Sequence, residues 1–367
     1  MRPSDDRTVL TLDAGGTTFV FGALKGGRPA CEPIALAAHG HDLNRCLEGL
    51  VAGFERAHGA VGGEISAISF AFPGPADYPA GIIGDLGNLP AFRGGVALGP
   101  MLEDRFQVPV FINNDGDLFA YGEALGGLLP EVNGRLQEAG SPKRYRNLLG
   151  FTLGTGFGGG LVRDGALVIG DNSAAGEVWL LRSKPHPRCF AEEGISIRAL
   201  RRSYAEVADL SLDQAPEPKE LAAIARGEAP GHEAAAREAF RRLGEANGDA
   251  LANALTVFDG LVVLGGGLTG AADLFLPALL EELNGHLDGR DGGRVDRLEL
   301  KAHNLEDPED LAHFLVGGAV QVAVLGSGRR VAYDPAKRTG VGLSRLGTSQ
   351  AVALGAYAFA LQALDQR

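Results

Sequence analysis

An α/β chain of two domains is what the sequence predicts, on three observations. Apolar strand-like runs alternate with helical stretches in both halves. The length of 367 residues suits two domains at roughly 100–200 residues each. A unit of strand, glycine turn and strand occurs twice, at 8–24 and 147–168, as a diverged internal duplication would leave.

Each element follows from its local pattern. Residues 8–24, TVLTLDAGGTTFVFGAL, are two apolar β-like runs joined at glycines, a hairpin pattern. Residues 43–58 carry apolar positions at helical spacing. SAISFAFPG (66–74) reads as a buried strand ending in a Pro-Gly turn, and 75–95 as a Gly/Pro-rich loop. QVPVFINND (107–115) is a strand that runs into the helix DGDLFAYGEAL. Residues 126–147 are polar and irregular, which predicts an exposed domain border or insertion. NLLGFTLGTGFGGGLVRDGALV (147–168) repeats the hairpin pattern, and 218–257 reads as strongly helical. FDGLVVLGGGL (258–268) is a buried strand entering a glycine turn, and LGTSQAVALGAYAFALQAL near the C-terminus is a helix with a small-residue face.

Composition narrows the functional classes. Acidic residues outnumber basic ones, 46 to 34, for a net charge of −12, which argues against nucleic acid as the main partner. Three cysteines, Cys31, Cys46 and Cys189, make no disulfide framework, so a reducing cytoplasm is expected. The N-terminal residues lack an apolar signal core, and the longest apolar stretch, roughly 314–325, is too short and glycine-rich to span a bilayer; no membrane partner is expected. Glycine counts 55 against a usual ~7% of residues, in clusters.

Three of those clusters can carry chemistry: Asp13–Thr18, Gly154–Gly160 and Gly265–Gly267. Successive backbone N–H groups in such turns form anion-binding concavities. A P-loop is absent, because none of the six lysines follows a glycine. Gly154, Gly156 and Gly159 match G-x-G-x-x-G, but a strand pattern follows where a dinucleotide site needs a helix. Asp13 beside a phosphate loop would repel the phosphates unless a cation sits between them; equally, it could bond its own turn. Thr17 and Thr18 offer hydroxyls, or simply favour the strand. Asp115, at a strand-to-helix junction, is either placed to meet a bound hydroxyl or is a helix cap.

The order of the Asp-Ala-Gly-Gly-Thr hairpin, the LGTGFGGG hairpin and FDGLVVLGGG resembles the sugar kinase and actin superfamily, and more closely the ROK family of bacterial sugar kinases. The resemblance runs from about residue 8 to 362. PGPADYPAGIIGDLGNLPAF (73–92), NNDGDLFAYGE (113–123), GEVWLL (176–181) and EEGISIRAL (192–200) match its further motifs in order. It implies an actin-like ATPase (ribonuclease H-like) fold with a central cleft between two domains. These would be 1–125, completed by a C-terminal helix at 348–367, and 126–347. It implies an enzyme that moves the γ-phosphate of ATP, with Mg²⁺, to a hexose hydroxyl, in the glucokinase or fructokinase manner. Asp115 would be the general base. Asn88, Asn114, Glu177 and Glu192 would contact the sugar. Asp13, Gly15, Gly16, Thr17 and Thr18 would line one phosphate site, with Mg²⁺ held by Asp13 directly or through water. Gly154, Thr155, Gly156, Gly158 and Gly159 would line the second, and Gly265, Gly266 and Gly267 would receive adenosine. Members are often dimeric.

The chain also departs from the family pattern. Many members hold a structural zinc through a histidine and three cysteines. Here Leu180 takes the histidine's place, and only Cys189, with His186 nearby, remains of the cluster. Tetrahedral zinc wants four N or S ligands, so no structural zinc is expected. Two insertions stand out, at 126–147 and 303–340; the apolar stretch of the second reads as core or subunit interface. Two competing readings remain. A ROK-type repressor needs a helix-turn-helix domain before the first hairpin, and starting near Thr8 leaves no room for one. A non-catalytic sugar or nucleotide sensor on the same fold would need only the loops.

Overall fold

The structure, a computed structural model, describes residues 5–367. The chain divides into two compact units. One holds the residues up to Gly127 together with Gly160–Gly176 and Leu346–Arg367; the other holds Leu128–Gly159 and Glu177–Arg345.

The first unit opens with β1 (Thr8–Ala14) and β2 (Thr18–Lys25), an antiparallel hairpin in which Asp13 faces Val20. β3 (Arg28–Pro29) and β4 (Ile34–Ala37) both pair with β2. α1 (Leu43–Val61) is capped by the Asp42 carboxylate and closed by Gly62 in the left-handed region. Then come β5 (Ala67–Ala71), the short pair β6 (Ala76–Asp77) and β7 (Ile82–Ile83), α2 (Leu98–Phe106), β8 (Val110–Asn113) and α3 (Asp115–Gly126). The sheet order is β3-β2-β1-β5-β8, with β5 parallel to both β1 and β8. β5 is buried at every residue, Ser69 included, so it is a strand covered on both faces. The core is aromatic: Phe21 meets Phe54 edge-on at 5.0 Å, and Phe72 meets Phe92 at 5.3 Å. Gly53 of α1 makes room for Phe21, whose ring would lie 2.2 Å from any added Cβ.

The second unit begins with α4 (Leu128–Glu138), followed by β9 (Leu148–Leu153) and β10 (Phe157–Arg163). At Gly160 the chain returns to the first unit, where the end of β10 pairs with β11 (Ala166–Leu167). The sequence reading had kept this segment with the second domain. Its placement follows from absent side chains, since a Cβ on Gly160 would lie 2.4 Å from the Gly116 carbonyl of α3.

From Glu177 the second unit resumes with α5 (Ile197–Ala208), α6 (Pro218–Ala225), α7 (Glu233–Val257), β12 (Leu261–Gly265) and α8 (Ala272–Leu283). The exposed pair β13 (His286–Asp288) and β14 (Arg294–Asp296) leads to β15 (Lys301–Asn304) and α9 (Pro308–Val316). A second exposed pair, β16 (Val320–Ala323) and β17 (Arg330–Tyr333), leads to β18 (Arg338–Leu343). Strands β10-β9-β12-β18-β15 are neighbours in that order, with β12 parallel to β9 and β18, and β18 parallel to β15. A hairpin followed by parallel strands thus repeats the plan of the first unit. The last helix, α10 (Thr348–Asp365), belongs to the first unit. It lies against α3 almost backbone to backbone: a Cβ on Gly122 would sit 2.0 Å from the Ala351 carbonyl, and one on Gly355 would sit 2.0 Å from that of Leu118.

Three readings of local structure need correction. The border between the units does fall within 126–147, after Gly127, but the stretch is not irregular and exposed throughout, because α4 forms there and buries Leu128, Leu129, Val132 and Leu136. The helical run 218–257 is two helices, interrupted where Gly227 and Gly231 take positive φ on either side of Pro230. The apolar stretch after His303 divides into α9, which buries Phe314, and a hairpin whose strand residues are all exposed, so those valines lie outside the core.

Candidate active site

In the first unit the site residues gather at strand ends. β1 delivers Asp13 to an exposed position at its C-terminal end. The turn is tight: the Gly15 N–H donates to the Thr18 carbonyl at 3.1 Å, and a Cβ at Gly15 would lie 2.8 Å from that oxygen. Gly16 has no protein atom within 4 Å of where a Cβ would stand, and Thr17 and Thr18 are exposed.

β8 ends at Asn113, and α3 starts two residues on. Asn114 caps α3, its side-chain oxygen accepting the Gly116 N–H at 2.8 Å, while Asp115 Oδ1 accepts the same N–H at 2.9 Å. The cap of α3 is thus Asn114 and not Asp115, which is the first residue of the helix, bonds the Gly116 N–H and is exposed. Burial pushes its carboxyl above the usual 3.8, the Gly116 and Asp115 N–H groups pull it back, and the charge of Asp13 adds to the rise.

Asn88 stands on a loop held from beneath. Leu86, Leu89 and Phe92 are buried, Leu89 against Gly40, and the Arg93 guanidinium donates to the Leu86 carbonyl at 2.6 Å. Asn88 itself is exposed.

In the second unit, the β9–β10 turn keeps Thr155 exposed, and Gly154 N–H donates to the Gly156 carbonyl at 3.0 Å. Glu192 closes on this turn, accepting the Phe157 N–H at 3.0 Å. A Cβ on Gly156 would lie 2.8 Å from the same carboxylate oxygen. Gly158 has no room beside the Thr152 hydroxyl, 2.5 Å from its would-be Cβ, and Gly159 is buried in β10. At the end of β12, Gly265 pairs with Thr152, and Gly266 has φ of 91° with its would-be Cβ 2.3 Å from the Leu153 carbonyl. Only glycine satisfies both demands. Gly267 is open.

Glu177 precedes a short 3-10 turn, Val178–Leu180, and accepts the Trp179 indole N–H. Leu180, at the position of the expected histidine, is exposed. Among the described residues no cluster of three or more His, Cys, Asp or Glu is placed to hold a metal. Cys189 and His186 are both exposed. A zinc centre does not fit this segment. A divalent cation held largely by phosphates and water does fit Asp13, since such ions use one or two carboxylates and this one is exposed beside the Gly15–Thr18 turn.

Sequence reasoning passed over four residues. Asn113 is buried, and its side-chain NH₂ has no hydrogen-bond partner among the described residues. Asp117 is buried in the first turn of α3, and Glu123 is wholly buried, its carboxylate accepting the Leu346 N–H at 3.0 Å. Both lie inside the motif NNDGDLFAYGE, whose polar spacing carried the signal. Trp179 is the fourth; nothing in its local pattern marks it.

Two sheets of the same plan, each led by a glycine hairpin, define the actin-like ATPase fold. The chain belongs to the ROK family, whose sequence model matches residues 9–308. It is 54% identical to a glucokinase from Parabacteroides distasonis, covering 99% of both chains with a TM-score of 0.91. A glucokinase from Streptomyces griseus, crystallised with glucose and AMPPNP, shares the fold at 21% identity, with a TM-score of 0.60 over 97% of this chain and 99% of that one. N-acetyl-D-glucosamine kinase of Vibrio cholerae is 32% identical over 171 residues, 47% of this chain and 51% of that protein. The chain thus matches about half the length of that relative.

Proposed function

We propose that the protein phosphorylates a hexose hydroxyl with ATP and Mg²⁺, the hexose being glucose or its N-acetylamino derivative. The reading is supported by the names of its relatives and by one observation above all: an exposed carboxylate, Asp115, at the head of α3, beside an asparagine that caps the same helix.

In this reading Asp115 takes the proton of the attacking hydroxyl. Its raised pKa brings it closer to the alcohol it must deprotonate in the transition state. Asn114 spends its oxygen on the helix cap, so its NH₂ faces a sugar oxygen. Asn88 and Glu177 add donors and acceptors suited to hydroxyls, which both give and take hydrogen bonds. The two hairpin turns offer backbone N–H groups to the phosphates. Mg²⁺, when bound with ATP near Asp13, supplies positive charge to the phosphoryl oxygens. The thiols and the lack of a membrane-crossing helix among the described residues are consistent with a cytoplasmic setting.

The test is turnover with Mg·ATP against glucose, N-acetylglucosamine, mannose, fructose and N-acetylmannosamine, with products identified by mass. A hexose phosphate made by the wild type and lost in Asp115→Asn supports the reading. Sugar binding without any phosphorylated product would replace it with a sensor.

A further inference from the structure

We propose that Trp179 is a positioning residue that fixes the Glu177 carboxylate and ties it to the turn carrying Gly154–Gly159. The inference rests on the proposed role of Glu177 as a sugar contact.

Three contacts in the second unit carry it. The Trp179 indole N–H donates to Glu177 Oε2, two residues back along the chain. Glu177 lies just before a single 3-10 turn, where a free carboxylate would sample several rotamers; the indole selects one. The ring itself is held. It meets Phe190 edge-on, with centroids 5.5 Å apart and planes at 87°. Phe190 in turn sits on a backbone ladder: it bridges Arg182, the Ala191 N–H donates to the Leu181 carbonyl at 2.7 Å, and the Ser183 N–H donates to Cys189 at 3.1 Å.

Glu192 follows on the same ladder segment and accepts the Phe157 N–H. The Ile197 N–H, from the start of α5, donates to the Gly154 carbonyl at 2.9 Å. A continuous set of contacts therefore runs from Glu177 through Trp179 and Phe190 to the β9–β10 turn. The segment 177–191 is fastened by two aromatic rings and the two backbone hydrogen bonds of the Arg182–Phe190 bridge.

Trp179 is also the sole tryptophan of the chain, so its emission reports this place and no other. The experiment combines that signal with kinetics on the full chain. Saturating glucose or N-acetylglucosamine, without nucleotide, should change the emission of the wild type. Trp179→Phe keeps a ring against Phe190 but loses the N–H. It should raise the sugar KM about tenfold, the scale of one hydrogen bond to a charged group, with the ATP KM within about twofold. Trp179→His, which restores a ring N–H, should recover part of the sugar KM. A Trp179→Phe enzyme with unaltered sugar KM, or a histidine variant no better than phenylalanine, would overturn the assignment while leaving the kinase reading intact. A wild type that neither binds nor phosphorylates any hexose would overturn both.

Discussion

The Glu192 carboxylate and the Phe157 backbone N–H are joined at 3.0 Å, so an acidic side chain that the family resemblance assigns to the sugar also braces the β9–β10 turn with one oxygen. Gly156 lies under the same oxygen. Gly156→Ala should push Glu192 aside and loosen the turn. We expect the ATP KM to rise about tenfold or more, with a smaller change in the sugar KM, since a charge-assisted bond is lost. Separate titrations of the two substrates check it; an unchanged ATP KM would detach Glu192 from nucleotide binding.

Asp115→Asn should lower kcat by roughly 10²–10⁴, the usual worth of a general base. The variant should fold at least as well as the wild type, because the substitution removes a carboxylate whose charged form is disfavoured by its surroundings. Calorimetry alongside kinetics separates lost chemistry from lost structure.

The sign of the Asp115 shift also fixes a pH dependence. Its folded-state pKa lies above the usual 3.8, so the native state holds that proton more tightly than the unfolded chain. Ionising it costs stability as pH rises from 3.8 through the raised value. Activity should run the other way, falling on the acid side at a pH above the ordinary carboxylate range. An acid limb of kcat/KM near 3.8 would contradict this.

Gly122 and Gly355 set the spacing of α3 and α10. Gly355→Val should lower stability by about 1–3 kcal/mol or more, the cost of overpacking a close contact. Thermal unfolding measures it, and a Tm equal to wild type would show that the helices can part freely.

Arg338 and Asp334 form an ion pair buried to 2% and 4% side-chain exposure at the base of the β16–β17 hairpin. Burial pushes the Asp334 carboxyl up, but Arg338 and the Gly318 and Ala336 N–H groups outweigh it and hold the pKa low. Arg338→Met should cost about 3–5 kcal/mol, because it strands a buried charge. Stability of the wild type from this pair is lost as pH falls through the depressed Asp334 value, and the variant should lack that loss.

The legible part of this molecule was the part written in short apolar runs and glycine turns. The β1–β2 and β9–β10 hairpins and the entry into α3 all follow from local pattern, because turn chemistry and period-2 burial are local. The α4 helix was not legible: Pro130, Asn133 and Gly134 mask a stripe whose meaning comes from what it packs against. For the Val320–Tyr333 hairpin only the core alternative fails, since an apolar pattern says what is hydrophobic and not what is covered. At the site, carboxylates and amides were found by motif. Their partners were not, because Trp179 meets Phe190, and Glu192 meets Phe157, through tertiary contacts that no spacing encodes.

The pairing of α3 with α10 carries a consequence for synthesis. A ribosome delivers the residues up to Gly127 early, yet the helix that covers Gly122 arrives only after Leu346 has been made. The early segment must wait, its Ala351-facing surface bare, while every residue of the second unit is made before the helix that completes the first. Vectorial order and structural order are inverted: the unit that starts first finishes last. A message that stops before Leu346 would release a chain lacking the helix that packs on Gly122, with that surface open to proteases.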